Sequence, residues 1–152
     1  FYVQLLLMRH GGANLSVRGV PRTLSGWGRE QVSKITKDHN GHFADVRIVL
    51  TSQLVRSIQS AAILIAEASL TCEREAVEWL RPQGRISDVE QYLQTTSYQS
   101  IIIIGHLPLL GLLIDHFTGT TDARLDTASL ASIDLEYPAQ GLGTLNWIHY
   151  AT

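Results

Sequence analysis

Val3-Gln4-Leu5-Leu6-Leu7-Met8-Arg9-His10-Gly11-Gly12 is an almost unbroken apolar run that ends in an arginine, a histidine and two glycines. A run of this kind suits a strand covered on both faces, as in a parallel sheet. Residues 46–50 and 101–104 repeat the pattern. Between the runs lie segments with helical spacing. Ser25 caps a helix to about residue 39, with Gly41 just past its end. Ser52 caps a second, whose Leu54, Val55, Ile58, Ala61, Ala62 and Ile65 fall on one apolar arc. A third helix is expected over residues 87–93, and a fourth begins at Pro108. Residues 128–135 and 143–150 read as two strands joined by a turn around 138–141. The expected fold is α/β, a three-layer sandwich with a mostly parallel central sheet, helices on both faces and a C-terminal antiparallel hairpin.

At 152 residues the chain has the size of a single domain, 1–152, able to bury a core without disulfides or metal. Cys72 has no partner within the chain, which suits a reducing, cytoplasmic setting. Twelve basic against 14 acidic residues, with no basic run, argue against nucleic-acid or membrane partners. Residues 101–114 are too short to span a bilayer, which takes about 20 apolar residues. Residues 1–8 lack the basic leader and cleavage site of a signal peptide.

Ligands of such sheets bind beyond the carboxyl ends of the strands. There the sequence places Arg9-His10-Gly11-Gly12, then Thr51-Ser52 leading to Arg56, then Gly105-His106-Leu107-Pro108. With neighbouring strands about 4.8 Å apart, these side chains can converge on one small anion. On the helical wheel Arg56 lies about 160–200° from the apolar arc, which also suits a solvent-facing charge. Arg22 reads on its own as a loop arginine. His39 and His42 flank Asn40-Gly41 at a helix end without a third ligand nearby, so no metal is expected; His116 and His149 stand alone. Phosphate-loop and dinucleotide motifs are lacking, and no cofactor is expected.

Four blocks in order, Leu7-Met8-Arg9-His10-Gly11, Arg22-Thr23-Leu24-Ser25-x-x-Gly28-x-x-Gln31, Thr51-Ser52-x-x-x-Arg56-x-x-Gln59-Ser60-Ala61 and Gly105-His106-Leu107-Pro108, resemble the motifs of the histidine phosphatase superfamily. The likeness runs from Val3 to about Trp147, and the short length and tail resemble the members that act on protein phosphohistidine. The resemblance implies a phosphoglycerate mutase-like fold. It makes His10 the nucleophile and gives Arg9, Arg56 and His106 the phosphate pocket, with Arg22 and Gly11 as further substrate contacts. Phosphate or sulfate is expected in that pocket, and a phosphohistidine-bearing phosphotransfer domain is the expected partner. The short stretch 66–87 leaves no room for the cap insertion of related mutases.

The chemistry is consistent with those roles. A neutral imidazole is a competent nucleophile, and a phosphoenzyme splits one hard displacement into two easier ones. Three arginines and a cationic His106 would oppose the phosphoryl charge. Alkyl-phosphate hydrolases of the superfamily usually carry a carboxylic acid for the leaving oxygen; Glu78 lies in that region, with Asp88 and Glu90 beyond it. Imidazole, with a pKa near 6.5, needs far less help to leave than an alkoxide. The alternatives are a small-molecule phosphomonoesterase of the same superfamily and a phosphate-recognition module without turnover.

Overall fold

A computed structural model describes residues 2–151. In chain order the elements are β1 (Val3–Arg9), α1 (Gly26–Asp38), β2 (Ile48–Thr51), α2 (Val55–Glu67), β3 (Glu73–Ala76), α3 (Ile86–Thr95), β4 (Ser100–Gly105), α4 (Leu109–Thr118), β5 (Leu130–Leu135) and β6 (Gly143–His149). Short 3-10 turns cover Asn40–Phe43 and Glu78–Leu80. The sheet order is β3-β2-β4-β1-β5-β6. The first four strands run parallel, and β5 and β6 add an antiparallel hairpin against β1.

The apolar runs became the central strands because both of their faces are covered. Leu5, Leu7, Ile101 and Ile103 point into one layer with Val89 and Leu93 of α3 and Leu110, Leu113 and Phe117 of α4. Leu6, Met8, Ile102 and Ile104 point the other way, onto Val32 and Ile35 of α1 and Leu64 of α2. The expected three-layer sandwich is the observed one. Among the described residues, no helix is long and apolar enough to cross a membrane.

Several expectations are corrected. Ser25 does cap α1, its side chain accepting from the Gly28 N–H. Ser52 does not cap α2; Leu54 occupies that position, and the Ser52 hydroxyl points to His106. Pro108 is the N-cap of α4 rather than its first residue. The last strand pair starts at Leu130, because Ala128 adopts φ 60 and turns its N–H onto the carbonyls of Arg9 and His10.

The apolar arc assigned to α2 is not its buried face. Ser57, Ser60, Ala61 and Leu64 are buried, whereas Leu54 and Ile58 remain 37% and 43% exposed. At about 100° per residue, the buried face is rotated by about 100° from the expected arc. That rotation moves Arg56 from the far side of the helix to the flank of the buried face. Two serines displace the arc because their hydroxyls have partners inside, whereas an unpartnered buried hydroxyl would cost roughly 1–3 kcal/mol.

Candidate active site

The end of β1 is fastened from four sides. His10 N–H donates to the Gly105 carbonyl at 3.0 Å, joining the tips of β1 and β4. Gly11 N–H donates to Ser60 Oγ at 3.0 Å, and Gly12 N–H to Gln31 Oε1 at 2.9 Å. Ser25 returns both its N–H and its hydroxyl to the Gly12 carbonyl. Gln59 Oε1 accepts from Leu24 N–H, holding the returning loop against α2. Glycine is required where this loop meets α1: a Cβ on Gly28 would stand 1.9 Å from the Gly12 oxygen, and one on Gly11 2.5 Å from the Gly28 oxygen. The blocks read in the sequence thus divide into residues that face the pocket and residues that hold its backbone still.

His10 is buried, and its Nδ1 lies 2.7 Å from the carbonyl of Gly11. A carbonyl only accepts, so Nδ1 carries the proton and Nε2 keeps its lone pair as an acceptor. Arg56 Nε approaches that Nε2 at 3.4 Å. Burial pushes the His10 pKa down to about 4; the Gly11 contact works against this, and the charges of Arg56, Arg9 and Arg22 work with it. The ring is therefore uncharged at neutral pH.

The His106 ring stands 5.0 Å from that of His10. Its Nε2 meets the hydroxyls of Ser52 at 2.5 Å and Ser57 at 3.0 Å. Its Nδ1 is buried without a partner among the described residues. Burial, then the neighbouring His10, Arg56 and Arg9, push its pKa down to about 3. The expectation of a cationic His106 is corrected for the free pocket: desolvation and the nearby guanidinium groups hold it neutral. A phosphoryl dianion would oppose both effects.

Arg9 is half-buried, with Nη1 donating to the Leu125 carbonyl at 3.0 Å and Nε unpartnered among the described residues. Burial lowers its pKa, Asp126 raises it and Arg22 lowers it again. Arg22 is exposed, and its Nε donates to the Asn14 carbonyl at 3.0 Å. Its charge acts on Arg9, His10 and Arg56 alike, so the loop brings it to the same centre. The structure therefore gathers Arg9, His10, Arg22, Arg56 and His106 around one centre.

Two of the three candidate carboxylates have partners of their own. Glu78 is exposed and paired with Arg81 at 2.7 Å, and Glu90 meets His116 Nε2 at 2.5 Å, so His116 is not isolated. Nor is His149, whose ring stacks 4.0 Å from that of His39. Sequence reasoning missed Ser57, Ser60 and Gln31 as supports of the site. Ser60 and Gln31 stood inside quoted motifs, but only the fold reveals what they hold; Ser57 had no sequence mark.

The chain is 29% identical over 150 residues to the phosphohistidine phosphatase SixA of Escherichia coli (strain K12), covering 95% of this chain and 92% of the relative. The structure of the protein histidine phosphatase SixA complexed with tungstate superposes with a TM-score of 0.89 at 28% identity, over 98% of this chain and 97% of that one.

The chain is similar to members of the histidine phosphatase superfamily along nearly its whole length.

No protein-family model matches it. The same fold recurs at lower identity. A putative SixA from Agrobacterium tumefaciens gives a TM-score of 0.83 at 17%, covering 98% of each chain. A phosphoglycerate mutase from Bacillus anthracis gives 0.67 at 13%, over 95% of this chain and 92% of that one. The phosphoglycerate mutase-like architecture expected of the superfamily is thus the observed one.

Proposed function

We propose that this protein is a phosphohistidine phosphatase that dephosphorylates a histidine on a signalling phosphotransfer protein through a phosphohistidine intermediate of its own. The observation that carries this reading is the unprotonated Nε2 of His10, held in that tautomer by the Gly11 carbonyl and approached by Arg56 Nε at 3.4 Å. The likeness to SixA over nearly the whole chain, and to its tungstate complex, supports it.

In the first step His10 Nε2 attacks phosphorus and forms a P–N bond. The P–N bond of the substrate breaks, and the departing imidazole takes a proton on the released nitrogen. Water then attacks the phosphoenzyme, giving inorganic phosphate and restoring His10. The transferring group has little covalent help to receive, so positioning and charge carry the reaction. Arg9, Arg56 and Arg22 would oppose its negative oxygens; Arg9 Nε, unpartnered among the described residues, is a donor with no other claim on it, and His106 Nδ1 would join it when it carries the ring proton. Gly11 lets the backbone pass close beneath.

Phosphohistidine is favoured over alkyl phosphates because Glu78 pairs with Arg81 and Glu90 with His116. An imidazole leaving group tolerates that; an alkoxide does not. The connection from α2 to α3 holds β3 and one 3-10 turn, so we read the chain as one domain without a cap, open to a protein-borne side chain. A cytoplasmic setting fits the free thiol of Cys72.

The test is a comparison of kcat/KM on a phosphohistidine-bearing phosphotransfer protein and on a panel of phosphomonoesters. Faster turnover of the phosphoprotein, with an acid-labile phosphoenzyme trapped in wild type and absent in His10→Ala, is expected. Faster cleavage of the esters would overturn the choice of substrate. Phosphate binding without turnover on any substrate would overturn the enzyme.

A further inference from the structure

A second group of histidines gathers where no residue of the phosphoryl pocket takes part. Helix α1 ends at Asp38, and His39 is its C-cap. The following 3-10 turn, closed by His42 N–H on the His39 carbonyl at 3.0 Å, sets these two residues three apart on one side of the turn. From the other end of the chain, strand alternation gives β6 two rings on a single face, Trp147 and His149. The three imidazoles meet there. One ligand nitrogen from each lies within 4.8 Å of the other two. The His39 and His149 rings stack at 4.0 Å, and Trp147 lies 4.6 Å from His42 and 4.3 Å from His149. None of these imidazoles has a hydrogen bond among the described residues.

His39 and His42 lack a third ligand in the sequence, and the fold supplies it from β6. We propose that His39, His42 and His149 form a three-imidazole site for a divalent first-row transition ion of the Zn²⁺ type, with water completing the shell. Imidazole suits such ions and not Mg²⁺ or Ca²⁺, which take oxygen ligands. Tetrahedral Zn–N bonds of about 2.0–2.1 Å need ligand nitrogens about 3.3 Å apart, so the rings must close by about 1.5 Å. His42 is exposed and free to swing in, whereas His39 and His149 are half-buried and already stacked. The ion would tie the end of α1 to the last strand and bind the folded chain alone.

The test uses the full chain with ZnCl₂ in buffer free of phosphate and chelators, by titration calorimetry and by NMR of the imidazole nitrogens. Wild type and His10→Ala are expected to bind one Zn²⁺ per chain, with His39, His42 and His149 nitrogens shifting and Trp147 fluorescence changing. His42→Ala and His149→Ala should each weaken binding by at least about 100-fold, given that even outer-shell losses cost about 10–100-fold. His42 is on the surface, so that variant keeps its fold, which circular dichroism checks. Saturation at about 100 times Kd should raise the Tm of wild type by about 5–10 °C, and not that of His42→Ala. Absence of stoichiometric binding overturns the proposal. So does binding that survives His42→Ala and His149→Ala but disappears in His10→Ala, since the ion would then sit on His10 and His106.

Discussion

His10 has its proton on Nδ1 because a carbonyl faces that atom, and stays uncharged because the ring is buried among cations. Ring-nitrogen NMR is therefore expected to show the neutral Nδ1–H form from pH 8 to about 5, whereas a solvent histidine titrates near 6.5. Half-protonation of His10 at pH 6 or above would contradict this. Arg56 Nε donates to the nucleophilic Nε2 of His10. Arg56→Ala should lower kcat by about 10²–10³, or roughly 2.7–4 kcal/mol of barrier, as loss of one oxyanion donor does. Arg56→Lys keeps the charge but loses the planar fork, so partial recovery is expected in single-turnover measurements. The identities and order of these residues could be read from the sequence. The neutrality of His106 could not, because it depends on burial and on neighbours from two other elements.

The elements show where periodicity informs and where it misleads. The central strands were legible because both faces are covered and nearly every position is apolar. Strand β3 was not, since Glu73, Arg74 and Glu75 are exposed and resemble a loop. It is a strand through its pairing with β2 at the sheet edge, where charge discourages further pairing. Helix α2 misled in the opposite way, since its greasiest arc faces outward and its serines face the site. The loop between β1 and α1 depends on α1 having no side chain at Gly28. Gly28→Ala is expected to destabilise the fold by about 1–3 kcal/mol, the usual cost of overpacking, in a denaturant titration. It should also slow phosphoryl transfer, because the Gly12 backbone moves with it. Gln31→Ala, which frees the Gly12 N–H but leaves the space intact, should produce the kinetic loss with a smaller loss of stability.

For the whole molecule, the two pocket imidazoles couple stability to pH. Both have native pKa values below the ordinary 6.5, at about 4 and about 3. The unfolded chain therefore takes up the extra protons as pH falls, and stability present above about pH 6.5 is lost toward pH 4. Between pH 7 and pH 5 the two together should account for a loss of roughly 2–4 kcal/mol in denaturant midpoints. A phosphate-like oxyanion binds only the folded pocket and favours its protonated form, so tungstate should restore most of that loss. His10→Ala should remove about half of the pH dependence.

What the sequence determined is the set of parts: apolar runs that must be covered on both faces, a cap at Ser25, and glycines, histidines and arginines placed at strand ends. Backbone geometry and hydrophobic burial act locally and leave their mark in the order of residues. Only the tertiary structure decided which face α2 turns inward, that β3 pairs at all, and that His10 and His106 lose their charge. It also brought His149 to His39 across 110 positions of chain. Those outcomes depend on distances between atoms far apart in sequence, and desolvation and convergence exist only once the chain has closed around them.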